Sequence, residues 1–431
     1  MQMNSQQLSQ EEINKLFYEK KHFLHNRFAS YILKKDNIKR INGQLHIYDG
    51  KCYIGGYRAI ESQMVRYIPI LKESQRREVL KYLEIMCTED VKESSYNLIA
   101  FENGVFDLST HTLSTFSPEH ILTNRIPHDY NPQAYDENVD KVLNKLACND
   151  SSIRLLLEEA IGYSFYRRNE LSKAFVLVGD KANGKSTYLA MLEKCLGVSN
   201  YTALDLEELN DRFSTVMLSG KLACIGDDIG DGFLQGKAVA MFKKITSGNT
   251  IKAEYKGQDG FIFKPYTKLF FSTNNMARMK DPTGAVIRRL VMIPMNAKFT
   301  KHDKDYDPYI ISKLTTENAM QYLINLALNG LERIIENNDF TECNATIEAL
   351  REYEEENNPV IGFVAEYGED NLDSVSVNEL YYNYCSYCND FGMKPESRTK
   401  FSRTVCNLYN LETQPRYKDG KALRYFVTKV F

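Results

Sequence analysis

The 431-residue chain has no tryptophan, no large excess of either charge, and no apolar run near the ~20 residues that a membrane span needs. Each shortage excludes something. Without a long apolar run, no membrane partner is expected. A net charge of −3 excludes a uniformly basic nucleic-acid coat, so nucleic-acid contact must come from local patches or an interior channel. The opening residues Met1 to Gln7 lack the charged and apolar regions of a secretory signal, and cytoplasmic residence is the expectation. The nine cysteines are odd in number and scattered, which suits reduced thiols better than a disulfide framework. Cys385 and Cys388 have C-x-x-C spacing, but no second pair or histidine partner stands at a zinc-site interval, and they read as two small residues on a helix face. Repeats and low-complexity tails are absent as well. A soluble, globular α/β chain of about three domains remains.

What is present centres on nine residues, Gly179-Asp180-Lys181-Ala182-Asn183-Gly184-Lys185-Ser186-Thr187. An apolar run, residues 174–178, precedes them and a helix-compatible stretch, residues 188–194, follows. Strand, glycine-bounded loop and helix is the context that G-x-x-x-x-G-K-[ST] requires. Glycines let the backbone turn tightly and approach a phosphate chain. The loop N–H groups and helix N-terminus make a concave anion site. Lys185 can reach the β- and γ-phosphates of a nucleotide, and the Ser186 hydroxyl can ligate Mg²⁺. ATP and Mg²⁺ are therefore the expected substrate and cofactor.

Three further motifs follow in order. Residues 221–228 form an apolar strand ending in Asp227 and Asp228. One carboxylate can hold Mg²⁺ and the other can orient the attacking water; Asp227 is assigned the first role and Asp228 the second. Residues 268–275 form another strand run ending in amides, and Asn274 is favoured as the group that senses the γ-phosphate. Arg288 and Arg289 open a third run. A guanidinium there can stabilise charge on the transferred phosphoryl group from a neighbouring subunit, with Arg289 preferred and Arg288 the alternative. Between the acidic and amide motifs, residues 251–263 read as a hairpin whose tip offers Tyr255 and Lys256, an aromatic and a cation suited to single-stranded nucleic acid.

Elsewhere the period of the apolar residues sorts the chain. Residues 1–35 are helical in character, 38–60 carry a hairpin around Asp49-Gly50, and about 75–86 is a helix. Residues 96–130 hold short strands; 136–165 and 305–337 are helical. Residues 375–431 read as helix, helix, hairpin, with a turn at Asp419-Gly420. That layout is a winged helix. Its basic residues include Arg398, Lys400, Arg403, Arg416, Lys418, Lys421 and Arg424, a footprint for duplex DNA.

The ordered set of the 179–187 loop, Asp227-Asp228, Ser272-Thr273-Asn274 and Arg288-Arg289 resembles the superfamily 3 helicases, in the phage, plasmid and poxvirus primase–helicase group. The segment Leu98 to Asp107 resembles the stretch before the ATPase in that group. The resemblance implies an AAA+-like P-loop core and a homo-oligomeric ring, a hexamer, that hydrolyses ATP between subunits. Such a ring pulls single-stranded DNA through its pore, 3′ to 5′, during replication of a mobile element. The expected division is an α+β module at 1–92, a β-rich and helical collar at 93–168, the helicase ATPase at 169–340 and the winged helix at 345–431. Host or element replication proteins are possible further partners. Residues 1–90 show no zinc-ligand cluster and no Asp-x-Asp pair, so priming is not expected. An origin-binding initiator without processive unwinding and a ring ATPase acting on protein are the rival readings.

Overall fold

The computed structural model describes residues 8–227, 233–234, 236–254, 256, 260–274, 278–279, 284–302, 306–418 and 421–429. A five-stranded parallel sheet organises them. Its strands are β1 (Ala174–Val178), β2 (Tyr201–Thr202), β3 (Ala223–Gly226), β4 (Lys268–Thr273) and β5 (Leu290–Pro294), in the spatial order β2-β3-β4-β1-β5. All neighbours pair in parallel. Residues on both faces of β1, β3 and β4 are buried, which is why these strands read as continuous apolar runs rather than alternating ones. The carboxyl ends of β3, β4 and β1 therefore lie side by side on one edge.

Each face of the sheet has its own core. Phe175, Leu177 and Phe270 point into one with α1 (Ser151–Phe165), α2 (Lys185–Leu196) and α3 (Glu317–Asn337). Strand residues Ile99, Phe101 and Phe106 and the helix Glu137–Leu146 join this same core, so the collar region and the sheet are packed together. Val176, Cys224 and Phe271 point into the other core, with Phe242, Ile245 and Tyr353. Tyr353 lies on the helix Asn344–Asn357, which packs on the sheet. The run at 136–165 is two helices, each started by an aspartate, Asp136 and Asp150, whose side chain accepts backbone N–H groups of the first turn.

Helices α1 and α3 touch backbone to backbone. A Cβ on Gly162 would collide with the Ala327 carbonyl, and one on Gly330 would lie 2.8 Å from the Glu159 amide nitrogen. Arg333 of α3 pairs with Glu158 and Glu159 of α1 at 3.1 and 3.2 Å.

The N-terminal module has three antiparallel strands, Lys39–Ile41, Gln44–Tyr48 and Tyr53–Gly55, with the expected turn at Asp49-Gly50. The first 35 residues are two helices split by a two-residue pairing of Tyr18–Glu19 with His22–Phe23. The helix Tyr57–Tyr67 is an addition to the sequence reading; its cap, Gly56, supplies no side-chain hydrogen bond, so no start signal marks it.

At the other end, a helix Pro359–Tyr367 is followed by α4 (Val377–Asp390), α5 (Arg398–Leu408), β6 (Leu411–Lys418) and β7 (Lys421–Thr428). The last two pair antiparallel from Leu411–Thr428 to Lys418–Lys421, and Ser376 bridges Tyr425. Val360, Phe363, Leu380, Tyr384, Phe401, Val405 and Phe426 form a core separate from the sheet.

Candidate functional site

Strand β1 stops at Val178, whose carbonyl accepts from the Met295 amide at 2.7 Å, while the Gly179 amide donates to the Thr273 carbonyl at 3.3 Å. The loop thus leaves the sheet between the tips of β4 and β5. It turns through Ala182 and Gly184, both at positive φ (59° and 87°), into α2. A Cβ on Gly184 would strike Leu146 and sit 2.9 Å from Phe299, so only glycine fits. Asn183 is buried and its side-chain amide donates to the Met295 carbonyl at 2.6 Å. The Phe299 amide donates to the Ala182 carbonyl at 2.9 Å, and the Lys145 ammonium sits 4.6 Å above the Phe299 ring. Residues 295–299 are thus a strap across the loop. Sequence reasoning missed the strap, and nothing in its residue types marks it.

Lys185 projects back over the loop. Its ammonium donates to the carbonyls of Gly179 and Asp180 (2.9 Å to the latter), to Asn183 Oδ1 at 3.3 Å and to Asn274 Oδ1 at 3.2 Å. Gly184 provides no side-chain cap for α2, so the first-turn N–H groups are not capped by that residue. Asp180 and Lys181 are exposed, and Thr187 is half-buried on the first turn of α2.

Asp227 follows β3. Its Oδ2 accepts from the Ser186 hydroxyl at 3.3 Å and its Oδ1 from the Ser272 hydroxyl on β4. Lys185, Ser186, Asp227 and Asn274 therefore meet on one sheet edge, as the start of α2 and the carboxyl ends of β3 and β4 converge. Asp228 lies outside the described residues. Two members of the cluster had no role in the sequence reading. Ser272 was part of the quoted strand tip but went unassigned. Glu193 lies two turns along α2; burial pushes its carboxyl above the usual range, the charge of Asp227 adds to this, and a hydrogen bond from Tyr201 opposes it. Both are ordinary polar residues with no spacing signal of their own.

Arg288 and Arg289 sit in a short turn, Ile287–Arg289, before β5. They lie at the amino end of the sheet, the opposite end from the phosphate loop, separated by a strand of roughly 16 Å. The Arg289 guanidinium donates to the Ala285 carbonyl at 2.6 Å and to the Ser247 hydroxyl at 2.9 Å, while Arg288 is exposed.

The expected hairpin is present as Ile251–Ala253 paired with Phe261–Phe263. Lys256 is exposed, and Tyr255 lies outside the described residues. The cross-strand pair Lys252 and Ile262 is exposed on the outer face. The turn at Gly43 of the N-terminal module rests against Phe261, with a Gly43 Cβ position 3.6 Å from Phe261 Cβ.

In the C-terminal module, α5 exposes Arg398, Lys400 and Arg403. Arg398 donates to Asn378 Oδ1 at 2.7 Å and Lys400 pairs with Glu396. Arg416 lies 5.5 Å over the Tyr425 ring, and Arg424 donates to Thr413 Oγ1 at 3.5 Å. Lys418 and Lys421 close the β6–β7 ladder; their side chains and the turn 419–420 lie outside the described residues. On α4, Cys388 is buried and Cys385 half-buried. Among the described residues no group of three His, Cys, Asp or Glu could hold a metal, and no helix is long and apolar enough to cross a membrane.

Residues 11–153 match the family model described as D5 N terminal like, and residues 177–289, from β1 to Arg289, match a family of unknown function, DUF5906. A protein of Acanthamoeba polyphaga mimivirus named "putative helicase" is 28% identical over 232 residues, covering 50% of this chain and 23% of its own length. A protein of the same description from Invertebrate iridescent virus 3 is 26% identical over 228 residues, covering 50% of this chain and 24% of its own length. The chain spans about a quarter of the length of these relatives. In fold, the C-terminal region of NrS-1 is similar over 93% of this chain and 98% of that one, at TM-score 0.55 and 12% identity. Over about half of its length the chain is thus similar to viral proteins named as putative helicases, and in fold to the NrS-1 C-terminal region.

Proposed function

We propose that this chain is an ATP-dependent DNA helicase of the superfamily 3 type within the phage and viral primase–helicase group, working as a ring during replication of a mobile element. One observation carries the reading: Lys185-Ser186, Asp227 and Asn274 come from three separate parts of the sequence and meet where a phosphate loop leaves a parallel sheet. Kinship with virus proteins named as helicases supports the choice among phosphate-loop enzymes. The strand order, with β1 between β4 and β5, suits an AAA+-like core.

The roles follow from chemistry. The 179–187 loop and the first turn of α2 bind the ATP phosphates through backbone N–H groups. The Lys185 ammonium, already surrounded by oxygen acceptors, exchanges some of them for β- and γ-phosphate oxygens. Ser186 and Asp227 fit a magnesium site, a hydroxyl and a carboxylate within hydrogen-bond reach of each other, and Ser272 orients the carboxylate. The ion, when bound, neutralises charge on the phosphate oxygens. Asn274 links the γ-phosphate position to β4, and Asp228 orients the attacking water. The phosphoryl charge is met by an arginine of the next subunit. Arg288 takes that role over Arg289, because the Arg289 guanidinium is engaged within its own chain. Lys252 and Lys256 of the hairpin grip the phosphates of a single strand in the pore. The C-terminal helices and β6–β7 hairpin form a winged helix on duplex DNA.

Steady-state phosphate release with and without single-stranded DNA tests this. DNA should stimulate the rate, and Asp227→Asn should lower it at least about hundredfold. Hydrolysis indifferent to DNA would instead favour a ring acting on protein. The C-terminal module, with its own apolar core and the exposed basic residues Arg398, Lys400, Arg403 and Arg416, favours a second reading, an origin-binding initiator switched by nucleotide without processive unwinding.

A further inference from the structure

A groove of about 500 Å³ opens between α4 and the start of α5, lined by Asn378, Tyr381, Tyr382, Cys385 and Arg398. Its volume falls within the ~300–1,000 Å³ range of small-molecule sites. The groove is braced from beneath. Tyr384 stacks on Phe401 with centroids 4.5 Å apart and planes 23° apart, which fixes α4 on α5. The Tyr381 hydroxyl donates to the Glu396 carbonyl at 2.9 Å, which fixes the segment entering α5. The Tyr382 side chain meets water instead, and the residue is 75% exposed. An aromatic ring left in water on a rigid helix, inside a groove, has unused stacking surface. Arg398 stands on the opposite wall, oriented by Asn378. Its partner there is a neutral amide, so the interaction leaves the guanidinium charge uncancelled.

We infer that this groove holds one unpaired DNA nucleotide, with its base stacked on Tyr382 and its phosphate on Arg398. The choice of occupant rests on charge and geometry. Residues 394–429, from the α5 wall to the C-terminal strands, carry nine lysines and arginines against three acidic residues, while α4 adds Glu379 and Asp390, so the attraction for a polyanion is concentrated on the Arg398 side of the groove. Bases inside a duplex have both faces covered by their neighbours, whereas an unpaired base can swing out and offer a free face to a tyrosine. The module then recognises the junction where a duplex ends and a single strand begins. This rests on the proposed DNA-binding role of the C-terminal module, and it adds a specificity for junctions that a duplex-binding wing alone would lack.

The test uses full-length protein, with binding read by fluorescence anisotropy on a blunt duplex and on the same duplex with a short single-stranded tail. A 2-aminopurine base at the first unpaired position reports stacking. Tyr382→Ala should weaken the tailed duplex about tenfold, remove the 2-aminopurine quenching, and leave the blunt duplex unchanged. Tyr382→Phe should behave as wild type, because stacking needs the ring and not the hydroxyl. The inference is overturned if Tyr382→Ala weakens neither substrate, weakens both equally, or leaves the quenching intact. Arg403→Ala on the blunt duplex separates the two ideas. If it weakens blunt binding while Tyr382→Ala has no effect, the groove assignment alone fails. If neither variant matters, the DNA-binding role of the module fails with it.

Discussion

Lys185 is held by four oxygen acceptors around its ammonium, and Asp227 by two serine hydroxyls from different elements. Removing Ser272 tests the second arrangement without touching nucleotide directly. Ser272→Ala should raise the Mg²⁺ concentration for half-maximal hydrolysis about tenfold, with the thermal midpoint little changed; a magnesium titration of the rate reads it. The two arginines should separate in kind. Arg288→Ala should abolish hydrolysis yet keep nucleotide binding, and mixing it with Lys185→Ala subunits should restore part of the rate. Arg289→Ala should instead lower stability by about 1 kcal/mol, because it loses hydrogen bonds to Ala285 and Ser247. At this scale the sequence was most informative where chemistry demands rare residue types at fixed spacing, as at Gly184-Lys185-Ser186. It was silent on Ser272, Glu193 and the 295–299 strap, whose parts come from common residues brought close only by sheet order.

Elements are joined by glycines and by buried charges. Gly162→Ala should lower the unfolding free energy by about 1–3 kcal/mol, since its methyl meets the α3 backbone, which cannot swing away as a side chain can. Asp140 gives a pH test of the collar. Burial raises its pKa, but hydrogen bonds from Arg154 (2.7 Å) and Tyr322 (2.8 Å) outweigh burial and hold the carboxyl below the usual range. A lowered folded value means the stabilisation is complete above the unfolded value of ~3.9 and is lost as pH falls through the folded value. Asp140→Asn should therefore cost about 1–2 kcal/mol at pH 7, and the difference from wild type should shrink as pH falls below ~3.9 in denaturant titrations. The apolar periods at 136–165 and 305–337 announced these helices. Their mutual approach was not legible, because a lone glycine within a helix looks the same whether it faces solvent or another backbone.

Across the whole molecule, the loop and the arginines stand at opposite ends of one sheet, so the arginine role proposed above requires a second copy of the chain. The C-terminal core, in contrast, is self-contained from Val360 to Phe426. Deleting residues 360–431 should weaken duplex binding more than it lowers hydrolysis, measured side by side on one preparation. Shifts in apolar period suggest a four-part division. They do not reveal that residues 93–168 and the sheet share one core, because Phe101, Leu143 and Phe175 join it from widely separated stretches of sequence. The most direct measurement of the central claim is strand separation on a forked DNA with ATP and Mg²⁺. The wild-type chain should displace the strand, and neither Lys185→Ala nor wild type without Mg²⁺ should do so. Wild-type protein that hydrolyses ATP on this fork yet leaves the strands paired would contradict that claim.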